Sequence, residues 1–318
     1  MQLAALISDT YRSLKSRGLY WVMLWISVVL GVVYASLGCN ESGWYLFFGV
    51  IKVPSSFLHA GTEWEKSLLM ITLDGLLDYW MLTVALVLAM FSASTVFPDS
   101  MRQGAIDLIL SKPVSRFKVF FAKYCGAILF VAVQALVLAG ICFLSLFFRL
   151  HILYWPVFWV VGLAVLIFSF IFCFNVLMGV LTGNSMAALL LTMLFWSSLW
   201  LVQKIHTATD PGTFKQSISN SDQPDVKSMT MTVELVHKVT SQTLCYLPHT
   251  QETGDLFRRF TKEATPHSFQ QIMQGNREPT IAPIPVHERS IPDVITSGLV
   301  FQGVLLVIAF WRFARRDF

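Results

Sequence analysis

Three properties of this 318-residue chain predict an all-α integral membrane protein with six transmembrane helices. Hydrophobic residues make up 55% of it and charged residues only 13%, against about 25% charged in an ordinary soluble domain. Six apolar runs, 19–37, 80–97, 120–148, 155–181, 186–202 and 294–311, meet or approach the length needed to cross a bilayer, which is about 20 residues for a helix. The cations are also distributed unevenly between the connections.

An even number of spans puts both termini on one side. Arg12, Lys15 and Arg17, then Arg102, Lys112, Arg116, Lys118 and Lys123, then Arg312, Arg315 and Arg316 place eleven cations there. The short loops of the opposite face hold only Lys52, Lys66 and Arg149, and nine more cations fall in one long loop. Long loops are discounted in this rule, so both termini are expected in the cytoplasm. The net charge of +4 comes without a basic run or aromatic-interleaved patch, so no nucleic-acid partner is expected. The first apolar run follows a charged segment and is long enough to span, so it is expected to stay attached rather than serve as a cleaved signal peptide.

In chain order, residues 1–18 come first, with Leu3, Leu6, Ile7 and Leu14 near helical spacing and Asp9, Arg12 and Lys15 between them. That pattern describes an amphipathic helix in the inner interface, the alternative being a disordered basic tail. The stretch 44–53 is apolar and aromatic but too short to span and ends at Pro54, so a strand or an interfacial loop is expected. Residues 68–78 are helix-like and lie just outside the second span; Asp74 and Asp78 share one face there. They are candidates for an outer vestibule, or form the wet face of an interfacial extension beside Leu69, Leu73, Leu76 and Leu77.

Residues 98–118 form a compact polar stretch between the second and third spans. Ile106, Ile109 and Leu110 occupy one face of a short amphipathic helix, which Pro113 stops. After that come tight connections at 149–154 and 182–185 and one large extracytoplasmic loop, 204–292, between spans 5 and 6. Helix-like stretches near 229–246 and 254–274 precede a Pro-rich segment at 279–285, which is expected to be extended. Leu256, Phe257, Phe260 and Phe269 would pack that loop as a helical cap. The expected organisation is therefore a transmembrane unit over 1–203 with spans 1–5, the loop region over 204–292, and the sixth span with its tail over 293–318.

If such a bundle moves a solute, it must draw energy from somewhere. Ion-coupled carriers keep ionisable groups near the midplane, and none stands in the core of these spans; the polar groups there are mild, including Gln134, Ser169, Asn175, Thr192 and Gln302. No GxxxxGK[ST] phosphate loop occurs in the chain either. Any ATP would have to be bound by another polypeptide.

The polar stretch resembles the cytoplasmic coupling loop of an ABC-2-type permease, the membrane subunit of an ATP-binding cassette exporter. Gly104, Leu108, Leu110, Ser111, Lys112, Pro113, Val114, Ser115, Arg116 and Lys123 match that pattern, with Ile109 between the two leucines. The departure is upstream, where the family often has Glu and this chain has Asp99 and Ser100. The resemblance implies the exporter fold with an interfacial helix and a coupling helix. It implies ATPase-coupling roles for Arg102, Gly104, Ile106, Leu108, Ile109, Leu110, Pro113 and Arg116, with Arg102 and Arg116 at the rim. It also implies a separate ABC ATPase subunit that binds ATP and Mg, a second permease copy as homodimer partner, surrounding membrane lipid, and a bacterial inner-membrane location. The chain itself carries no cofactor on this reading.

Two rival readings stand beside it. One is a non-transporting mechanotransmission or scaffold subunit whose outer loop engages a periplasmic protein. The other is an integral membrane enzyme that uses the outer histidines with Asp74 or Asp78. All seven histidines fall on the predicted outer side, yet none pairs with another at i, i+4 and no HExxH motif is present, so no metal site is expected. Cys125, Cys142 and Cys173 lie within spans, while Cys39 and Cys245 both lie outside and are candidates for a disulfide.

Overall fold

The computed structural model describes residues 2–16, 18–40, 43–54, 63–101, 115–151, 153–209, 233, 235, 236, 238–241 and 291–315. Among them six helices are long and apolar enough to cross a membrane: Gly18–Ser36, Leu68–Ser100, Arg116–Leu150, Val157–Thr182, Ser185–His206 and Ile295–Ala314. Each covers one of the six runs expected from composition, five with ends that agree to within about four residues and the second extended from residue 80 back to Leu68, and the protein is a multi-pass, all-α membrane protein.

Helix α1 (Gln2–Lys15) precedes the first span, α2 (Gly18–Ser36). The expected apolar face of α1 is turned inward: Leu14 is buried, Leu6 and Ile7 are half-buried, and Asp9 and Arg12 are exposed. It lies along the third span, α6 (Arg116–Leu150), at Gly126. A Cβ on Gly126 would come within 2.7 Å of the Thr10 Cβ, so the two helices approach as closely as they do because that position has no side chain. The expectation of a packed helix rather than a free tail holds because this seam buries the apolar stripe.

The stretch 44–53 takes the strand alternative. Strands β1 (Gly38–Asn40), β2 (Gly43–Leu46) and β3 (Ile51–Pro54) form an antiparallel meander in that order. Trp44 pairs with Cys39 on one side and with Val53 on the other. A tight turn, Phe47–Gly49, joins β2 to β3.

The second span corrects the expected boundary. Residues 68–78 are not a separate extension outside it: α3 (Glu63–Gly75) runs on through a nine-residue π-helix (Leu76–Val84) into α4 (Ala85–Ala93). Leu69, Leu73 and Leu77 are buried in the bundle, and that burial is what draws the segment into the span. A short α5 (Val96–Ser100) closes it.

Helices α7 (Val157–Thr182), α8 (Ser185–Ala208) and α9 (Ile291–Ala314) complete the bundle. The left-handed Gly183 (φ 67°) ends α7, and the Asn184 side chain caps α8 by accepting from the Met186 amide at 2.9 Å. Helix α7 is the centre: Phe168, Phe170, Phe172 and Val176 are fully buried, and α6, α8 and α9 all pack on it. Gly298 of α9 faces the Phe170 ring, which a Cβ there would overlap. At Gly179 a Cβ would make only ordinary contact with Pro98, and Gly140 and Gly162 face open space and serve no close approach.

Candidate functional site

The ends of spans 2, 3 and 6 next to the polar stretch converge on an aromatic cluster. Phe97 of α5 packs on Phe120 of α6 with centroids 5.1 Å apart, and Phe120 meets Phe310 of α9 at 5.6 Å. Phe117 adds an edge contact to Phe310 at 5.4 Å. From this cluster the polar stretch leaves at Met101 and returns at Ser115, whose hydroxyl caps α6 by accepting from the Lys118 amide. Both ends of the stretch are therefore held on packed span ends.

Arg102, Gly104, Ile106, Leu108, Ile109, Leu110 and Pro113 lie outside the described residues. Arg116 is the one candidate coupling residue whose place is described: its Nη1 donates to the Ala314 carbonyl at 2.7 Å, at the C-terminal end of α9. The chain's own span 6 thus engages a guanidinium expected at the rim of a partner contact. Lys123, two turns into α6, feels the carboxylates of Asp9 on α1 and Asp99 on α5. Asp99, singled out as a departure from the family pattern, is thus near enough for its charge to bear on this cation.

Within the membrane, polar side chains join the spans in pairs. Trp80 Nε1 donates to Ser27 Oγ at 3.0 Å, linking spans 1 and 2. Gln302 Nε2 donates to Tyr124 OH at 3.0 Å, and Tyr124 OH lies 2.8 Å from Ser169 Oγ, linking spans 6, 3 and 4. Asn175 Nδ2 donates to Thr192 Oγ1 at 3.2 Å between spans 4 and 5. Gln134 differs. It is 5% exposed, and neither its amide nitrogen nor its oxygen has a partner. It borders a cavity of about 20 Å³ together with Met23, Ser27, Trp80, Met81 and Leu86, a volume that admits roughly one water.

On the other side of the bundle, Arg149 at the end of α6 organises the sheet. Its Nε lies 3.5 Å from Glu65 Oε1, its Nη2 donates to Tyr45 OH at 2.8 Å, and its guanidinium covers Gly38 so closely that a Cβ there would collide with it. Sequence reasoning treated Arg149 only as a loop charge and passed over Glu65 and Tyr45. Separations of 84 and 104 residues carry no local signal.

The vestibule candidates Asp74 and Asp78 are both half-buried at the sheet-side end of span 2. Asp74 acts on Tyr154, whose phenol is pushed up to about 12, mainly by burial and then by that carboxylate. Among the described residues no group of three His, Cys, Asp or Glu could hold a metal. Cys39 carries a free, buried thiol, and its proposed partner Cys245 lies outside the described residues, as do the cap residues Leu256, Phe257, Phe260 and Phe269.

The fold is a six-span helical membrane bundle whose helices are joined by polar pairs. The model of the ABC-2 family transporter proteins matches residues 67–236, more than half the chain, and the protein belongs to that family. No curated protein matches it.

Proposed function

We propose that this chain is the permease subunit of an ATP-driven exporter, forming half of a membrane pathway with a second copy of itself and driven by a separate ATPase subunit that binds ATP and Mg. The observation that carries the reading is the anchoring of the 102–114 stretch at both ends. It leaves from α5 and returns into α6, whose Phe97 and Phe120 are in contact. A force applied to that stretch moves spans 2 and 3 together, and Arg116 passes it to span 6. Ile106, Ile109 and Leu110 supply the apolar face for a groove on the ATPase. The cation asymmetry supports cytoplasmic termini and, with the family, a bacterial inner-membrane location.

Spans 1 and 5 leave apolar faces uncovered, Trp25 and Val29 on the first and Met186, Leu190 and Leu194 on the second. A second copy and lipid share these faces. The test is Ile109→Asp in the full complex. An unpaired charge in a buried apolar contact costs several kcal/mol of association, so the ATPase should no longer co-purify while the permease still inserts. Full binding with stimulated ATP turnover would rule out the stretch as the docking element.

A further inference from the structure

We propose that the β2–β3 hairpin dips into the bilayer, its tip entering the leaflet that borders it, so that the ligand of this surface is lipid. This goes beyond the exporter reading and stands without it.

The path of the chain sets the direction of the hairpin. Span 1 ends at Ser36, β1 leads away from it, and β2 returns, so that the Phe47 amide donates to Ser36 Oγ at 3.2 Å. The turn therefore lies level with the end of span 1, while the Gly43–Pro54 pair marks the far end of the hairpin. A second span end gives the same level: Arg149, one residue before the end of α6, donates to Tyr45 OH two residues before the turn. Neighbouring Phe148 is 73% exposed.

At this level the tip is bare and apolar. Phe48 is 73% exposed and Val50 83%, with Phe47 and Ile51 close to half exposed. Phe47 and Phe48 adopt φ of 53° and 56°, a left-handed conformation that bulky residues rarely take and that persists only where the surroundings impose it. Residues 43–51 include no charge, and Lys52 follows on β3, opposite Tyr45. Apolar residues at the tip with a cation one residue above match hydrocarbon below and lipid phosphate above. Val32 and Val29, one and two turns before Ser36 on span 1, are exposed as well, so that end of the span also presents apolar surface to lipid.

The test uses the full-length protein in nanodiscs of phosphatidylcholine and phosphatidylglycerol. An environment-sensitive fluorophore is attached at Phe48→Cys, Val50→Cys and, as comparator, Val53→Cys, and the signal of the equally treated wild type is subtracted. All three side chains are exposed, so substitution spares the core. Phosphatidylcholine carrying a doxyl group high on its acyl chain should quench positions 48 and 50 several-fold more than position 53. Aqueous iodide should show the reverse order. Iodide access at 48 and 50 equal to that at 53 would overturn the proposal. Protection of 48 and 50 from both quenchers would also overturn it and assign the tip to a second copy or to another part of the chain.

Discussion

The Arg116 guanidinium donates to the carbonyl oxygen of Ala314 at 2.7 Å, across 198 residues of sequence. It satisfies one of the last carbonyls of α9 and sets a positive charge against the negative end of that helix dipole. Span 6 therefore ends on the first residue of span 3, directly after the polar stretch that resembles a coupling loop.

Arg116→Met should lower stability by about 1.5–3 kcal/mol, the range for a hydrogen bond that involves a charged group. Arg116→Lys should recover part of that, because an ammonium keeps the charge but lacks the planar fork. Thermal unfolding in detergent measures both, and equal unfolding of all three proteins would show the contact to be idle.

Glu65 is 7% exposed and has Arg149 as an ion partner. Removing one member of a buried pair costs roughly 3–5 kcal/mol because the other charge stays buried. Arg149→Met should therefore be more damaging than Arg149→Met combined with Glu65→Leu. A double-mutant cycle of unfolding free energies checks this; simple additivity would place the stability in packing rather than in the pair.

Gln134 buries an amide with no partner beside an apolar cavity. Gln134→Leu removes the desolvation cost of an unsatisfied polar group, about 1–3 kcal/mol, and fills part of the space. The variant should melt at a higher temperature than the wild type. A lower melting temperature would show that the amide is satisfied in the membrane by a bound water or ligand.

The Cys39 thiol is pushed above its ordinary range, first by burial and then by the carboxylate of Glu65, with Arg149 opposing. A folded-state value raised above the unfolded one contributes stability that is complete below the unfolded value and fades as pH rises through the folded value. Wild-type stability should accordingly fall more steeply than that of Cys39→Ser in the alkaline range where thiols ionise. Maleimide should also label Cys39 more slowly at neutral pH than an exposed thiol, because only the thiolate reacts. Identical alkaline profiles for the two proteins would remove this role, and a Cys39–Cys245 disulfide peptide in a non-reduced digest would replace it.

Hydropathy alone determined the six spans, since a bilayer demands about 20 apolar residues whatever the fold. The amphipathic character of α1 was legible for the same reason: Leu6, Ile7 and Leu14 recur on one face. The family was legible because the match from Gly104 to Arg116 is local. Only the tertiary structure decided what involves partners distant in the chain. Residues 68–78 join span 2 because their leucines find a bundle to bury against, and propensity cannot register that burial. The charge of Asp99 bears on Lys123, Arg116 bonds the Ala314 carbonyl and Arg149 pairs with Glu65, across 24, 198 and 84 residues of sequence. Charges so far apart in sequence carry no periodic signal, and only the packing of the helices brings them within reach of one another.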